Sequence, residues 1–106
     1  MTQDGVHATV RQAIGGDPQA MRSIVAQADT SENALVVTMA ALLEGRSARL
    51  DRADAVAATT RDRQVVAIAR AHLEGNGELV DAFARDHLAD YPDSLIVSWI
   101  ASDGQA

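Results

Sequence analysis

A glycine that stops one helix and opens the next recurs every thirty residues in this chain, and this period constrains the fold more than any other feature. Gly15, Gly45 and Gly75 are in phase, and Gly104 falls one short of the next position. Apolar positions repeat with them: Val6, Val36, Val66 and Ile96; Leu35, Val65 and Leu95; Ala41, Ala71 and Ala101. Whole words recur as well. Ala41-Leu42-Leu43-Glu44-Gly45 returns as Ala71-His72-Leu73-Glu74-Gly75. Asn33-Ala-Leu-Val-Val-Thr-Met-Ala-Ala returns two periods on as Asp93-Ser-Leu-Ile-Val-Ser-Trp-Ile-Ala. A fixed period of this length marks a chain assembled from repeated supersecondary units.

Local chemistry divides each unit into two helices. Residues 3–14 place Val6, Val10, Ala13 and Ile14 on one face ahead of Gly15-Gly16. Asp17-Pro18 reads as an N-cap with proline at the first helical position, and Ala20, Met21, Ile24 and Ala28 carry the second helix to about residue 28. Thr30 or Ser31 is expected to cap the third, central helix. From Leu35 to Leu43 its one polar residue is Thr38. Ser47 opens a weaker helix over 48–59, with Leu50, Ala53, Val56 and Ala57 as its stripe. Thr60 caps a fifth over 61–74, and Asn76-Gly77 turns into a sixth over 78–89 carrying Leu79, Val80, Phe83 and Leu88. Tyr91-Pro92-Asp93 starts the last, which runs to about Ser102. No segment alternates as a strand would. The expected architecture is all-α, one domain over residues 1–106 with about seven helices. Short links make neighbours antiparallel, so helical hairpins stack into a short α/α solenoid.

Composition narrows the function classes. Apolar residues make up 47% of the chain but aromatics only 3%, so the core is expected to be closely packed helices carrying small side chains. With no cysteine there is no disulfide, thiolate metal site or thiol nucleophile. No leader pattern and no apolar run of membrane-spanning length are present, which points to a cytoplasmic protein without membrane contact. Nucleic acid is not an expected partner at a net charge of −6. Arg46, Arg49, Arg52, Arg61, Arg63 and Arg70 crowd the middle third, but Asp51, Asp54 and Asp62 are interleaved with them. Alternating signs make a solvated, ion-paired face and not a strong positive field.

Chemistry-bearing residues are few. Asp4 and His7 stand three apart, a spacing that can set two ligands on one helical face, yet a metal site needs three or four and no second pair exists. No metal or cofactor is expected. His72 stands where Leu42 stands one period earlier, so it is expected to line an apolar surface. His87, next to Asp86 and one turn before Tyr91, reads as a satisfied interhelical residue. Glu44 and Glu74 are in phase, as are Glu32 and Asp62, but stacked helices set equivalent positions about 10 Å apart. That is too far for a shared proton. There is neither a phosphate loop after a strand nor a nucleophile elbow, so no catalytic residue is assigned and an enzyme is not expected.

Residues 65–93, Val65-Val-Ala-Ile-Ala-Arg-Ala-His-Leu-Glu-Gly-Asn-Gly-Glu-Leu-Val-Asp-Ala-Phe-Ala-Arg-Asp-His-Leu-Ala-Asp-Tyr-Pro-Asp, resemble a tetratricopeptide-type repeat. Gly75, Phe83 and Pro92 match its helix-end glycine, second-helix aromatic and closing proline, and Gly15, Ala20 and Ile24 fit in the first unit. The sequence departs from that pattern in its period (about 34 is usual), in Val80 for alanine, in Glu32 for proline, and in Gln64 where a large aromatic stands. Short HEAT-like repeats remain the alternative. The resemblance implies that the first helix of each unit lines a concave groove, here Leu35, Met39, Leu42, Val65, Ala69, His72, Leu95 and Trp99. Such an apolar groove suits an amphipathic helix or an extended peptide. Residues 35–43 and 95–101 are apolar all round, as buried helices are, and a solenoid end needs a polar cap. A second copy is expected to cover them. The expected function is a non-enzymatic, homodimeric protein-interaction module of unknown partner. The alternative is a helical domain enclosing a small molecule or lipid in an apolar pocket.

Overall fold

The computed structural model describes residues 3–103, with side chains described over residues 5–102. Among the described residues there are seven α-helices and no strand: α1 (Gln3–Ile14), α2 (Pro18–Gln27), α3 (Ala34–Glu44), α4 (Ala48–Val56), α5 (Thr60–Leu73), α6 (Gly77–Asp90) and α7 (Leu95–Asp103). No helix among these residues is long and apolar enough to cross a membrane.

The periodic glycines act by one mechanism. At the end of α3, Gly45 takes φ +66°, a left-handed conformation that a Cβ penalises. Its N–H donates to the Leu42 carbonyl and the Arg46 N–H reaches the Ala41 carbonyl, so two orphan acceptors at the helix end are satisfied. The same pair of bonds recurs after α5, from Gly75 to His72 and from Asn76 to Ala71. After α1 the left-handed residue is Gly16, not the in-phase Gly15, with bonds to Ala13 and from Asp17 to Gln12. Helix starts are also set by side chains. Asp17, Asn33, Thr59 and Asn76 each accept a backbone N–H of the first turn that follows. The cap of α3 is thus Asn33, while Ser31 takes the Asn33 N–H. Thr59, one residue before the expected Thr60, caps α5. Helix α4 ends at Val56, three residues short of expectation. It is held at its solvent side by Arg49, which pairs with Glu44 and Asp29, and by Asp51 and Asp54, which share Arg70 of α5.

Packing explains the central stretch and corrects the expected shape. Helix α3 contacts α1, α2, α4 and α5, which is why seven of its residues, Ala34 and Val36 to Ala41, are buried. Helix α7 contacts α1, α5 and α6. The contacts α1–α3, α3–α5, α5–α7 and α7–α1 close on themselves, and α2, α4 and α6 pack outside that ring. The molecule measures 32 × 28 × 25 Å, nearly as thick as it is long. The end of the chain expected to lie open is therefore covered by α1. Buried alanines, Ala13, Ala40, Ala41, Ala53, Ala69 and Ala71, let the helices approach closely enough for this closure.

Thr38 lies fully buried at the centre of α3, and its hydroxyl has no hydrogen-bond partner among the described residues. A buried donor left unpaired costs roughly 1–3 kcal/mol. Thr38→Val keeps the shape and removes the hydroxyl, so a gain of about 1 kcal/mol in unfolding free energy is expected from urea denaturation. A loss of stability would show that the hydroxyl is satisfied in solution.

Candidate functional site

The eight residues expected to line a groove divide by burial. Met39, Val65 and Ala69 have 0%, 1% and 0% of their surface exposed and belong to the core. Leu35, Leu42, Leu95 and Trp99 are half-buried against it, and His72 is half-buried. Closure of the odd-numbered helices turns the inward row of each first helix into core, so these residues do not form an open groove. Leu35, Val65 and Leu95 do meet at one cavity, together with His7, Val10 and Arg61. It holds about 20 Å³, roughly the room of one water molecule. The Asp4 side chain falls outside the described residues. Among the described ones, no group of three or more histidine or carboxylate side chains is placed to hold a metal ion.

A polar seam lies where α5, α6 and α7 meet. His87 is on the inward stripe of α6 with Val80 and Ala84, and is 2% exposed. Its Nδ1 donates to Gln64 Oε1 of α5 at 2.8 Å, and its Nε2 accepts the Ser94 hydroxyl at 3.0 Å. Gln64, which stands where the repeat pattern has a large aromatic, is here the partner of a buried imidazole. The Tyr91 ring sits 5.0 Å from that of His87. Arg61 lies over the Tyr91 ring at 4.9 Å and bonds Asp93 at 3.1 Å.

Ser94, His87 and Gln64 have the order of nucleophile, base and orienting group, but not the properties such a set needs. The orienting group is a neutral amide, which stabilises an imidazolium far less than a carboxylate does. Ser94 and His87 are both buried, and the cavity that Ser94 borders has space for a water and no substrate. The seam ties three helices together.

Burial pushes the His87 imidazole below its usual value of 6.5; the Arg61 charge adds to this and Asp90 opposes it. Just below pH 6.5 the unfolded chain then binds more protons than the folded one, so acid favours unfolding. The His87 contribution is complete above pH 6.5 and is lost as pH falls below it. In urea unfolding at pH 7.5 and 5.5, the wild type is expected to lose more stability on acidification than His87→Gln does. Equal losses would mean that His87 takes up its proton freely in the folded state.

The surface offers a different site. Among the described residues, the large apolar side chains left exposed are Leu79 at 41% and Phe83 at 42%, four apart on α6. Phe83 borders a groove of about 290 Å³ between α5 and α6, whose floor is Ala67 and Ile68 and whose inner wall is Gln64 and His87. Asp86 and Asp90 form its outer rim. The sequence groups Leu79 and Phe83 with Val80 and Leu88 as the apolar positions of this helix. The inward stripe is instead Val80, Ala84 and His87, and Leu79 and Phe83 share the neighbouring face with Asp86 and Asp90. That signal was available: two carboxylates at three and seven residues from Phe83 mark a wet face.

Comparison with protein families, with curated proteins and with solved structures finds no match to this chain. The functional reading therefore rests on the arrangement of its own residues.

Proposed function

We propose that the chain is a non-enzymatic helical-repeat module that binds a protein partner through the outer surface of α5 and α6. In this reading three tetratricopeptide-like hairpins and a closing helix coil so tightly that the inner groove is filled. Recognition then moves to the outside. The observation that carries it is the pair Leu79 and Phe83, exposed beside the α5–α6 groove while the other large apolar side chains among the described residues are buried or half-buried. Covering a phenylalanine or leucine contributes roughly 1.5–3 kcal/mol, and an exposed apolar patch bordered by charges marks an interaction surface.

The partner in this reading is a different chain. The need for a second copy came from α3 and α7, and both are covered by helices of the same chain. Pairing α6 with its own copy would set Glu78, Asp81, Asp86 and Asp90 against themselves, with Arg85 as the one cation on the helix. An enclosed lipid or metabolite fits less well, because such pockets measure roughly 300–1,000 Å³ and are mostly apolar. The cavity shared by Leu35, Val65 and Leu95 holds about 20 Å³, and the clefts of about 460 and 510 Å³ are open and lined mostly by polar side chains.

Phe83→Ser tests the proposal. At an exposed position it is expected to change folding stability by about 0.5 kcal/mol or less. Affinity capture from the source cells, with wild type and variant compared by mass spectrometry, should then recover a partner that the variant loses. Identical recoveries from both would overturn the assignment of this surface.

A further inference from the structure

The charges around the α5–α6 groove specify what kind of partner fits it. Elsewhere four arginines are ion-paired: Arg46 with Glu44, Arg49 with Glu44 and Asp29, Arg61 with Asp93, and Arg70 with Asp51 and Asp54. On α6 no ion pair forms among the described residues. Four carboxylates face one guanidinium on that helix. Asp86 and Asp90, on the groove rim, make neither an ion pair nor a hydrogen bond among the described residues. No arginine or lysine lines the groove, and its one imidazole, His87, is buried and held below its usual pKa by that burial. An apolar floor beside unpaired carboxylates rejects an acidic segment and leaves a neutral one without partners for the rim.

We propose, resting on the α5–α6 docking surface inferred above, that the occupant is a basic amphipathic helix. Its apolar anchor packs on Phe83 and Ala67, above the buried Ile68, and its arginine or lysine side chains meet Asp86 and Asp90. The spacing sets the pattern. Phe83, Asp86 and Asp90 stand at i, i+3 and i+7 on one face of α6, and about 10 Å of helix separates the first from the last. A helix lying along this face needs cations about one and two turns from its anchor. An amphipathic helix laid into a groove is a recurrent recognition mode. Complementary charge at the rim would mainly fix orientation and association rate.

The test uses two synthetic peptides of about eighteen residues, long enough to hold helical structure. Both carry the same leucine stripe; one has lysine and the other glutamate at the positions one and two turns from the central leucine. Titration into the labelled full chain, followed by amide shifts in NMR, is expected to show the lysine peptide perturbing residues 64–68 and 83–90. Binding should weaken with added salt, because exposed charge pairs are screened. Phe83→Ser should weaken it roughly tenfold or more. Asp86→Asn with Asp90→Asn should weaken it severalfold and flatten the salt dependence, while circular dichroism stays unchanged. If the glutamate peptide binds the same residues as tightly, the charge specification is wrong and the docking surface stands. If the lysine peptide perturbs other residues, or neither peptide binds, the docking surface itself is wrong.

Discussion

Met39→Ala is expected to destabilise the chain by about 3 kcal/mol, within the range of roughly 2–5 kcal/mol seen when a buried methionine is truncated. Met39 is fully enclosed at the centre of α3, the helix that touches four others. The loss combines the transfer of its side chain with the cavity left in the hydrophobic core cluster to which it belongs. Urea unfolding gives the number directly. Had Met39 lined an open groove, as its repeat position first implies, the same truncation would cost about 0.5 kcal/mol or less. The two arrangements thus differ by about 2.5 kcal/mol, well beyond the error of extrapolated unfolding energies.

Ile100→Ala carries the second large effect, also about 3 kcal/mol. Ile100 is 1% exposed on the last helix, α7, where an open repeat array would leave apolar side chains facing water. Its helix packs on α1, the helix farthest from it in sequence, as well as on α5 and α6. A cost near zero would indicate that α7 is frayed or uncovered. A cost in the expected range makes the two ends of the chain one cooperative unit.

What could be read from the residues alone was local. Helix stops follow from glycine, because a left-handed cap with two backbone hydrogen bonds is a property of a few consecutive residues. The same holds for Asp17 ahead of Pro18 and for Asn76, whose side chains accept the first N–H groups of α2 and α6. Burial of α3 on every side followed from a stretch whose one polar residue is Thr38. Small displacements arose where several residues could do the same work. Gly15 and Gly16 compete for one cap, as do Thr59 and Thr60, while Ser31 and Asn33 share theirs in relay.

Closure was not legible, because it is set by the angle at which successive units pack. A thirty-residue period fixes how many helices stack but not how sharply the stack curves. Buried alanines such as Ala40, Ala41 and Ala69 permit the close helix approach that such closure needs. Closure turned the row containing Met39, Val65 and Ala69 from groove into core, and it packs α7 against α1, α5 and α6. The α6 face was legible but unread. Val80 and Ala84 with His87 form one stripe, Leu79 and Phe83 with Asp86 and Asp90 another, and the acidic residues tell which is wet. His87 was expected to be a satisfied residue between helices, and Gln64 and Ser94 are the partners that satisfy it.

The closed ring is the central claim, and methyl nuclear Overhauser contacts between α1 and α7 test it most directly. In a methyl-labelled sample, cross-peaks are expected from Val6 and Val10 to the methyls of Ile96, Val97 and Ile100, since Val10 and Ile96 border one cavity and all five belong to one core. An open array would show α7 methyls in contact with α5 and α6 alone, and the absence of every α1–α7 cross-peak in a folded sample would contradict the closed arrangement.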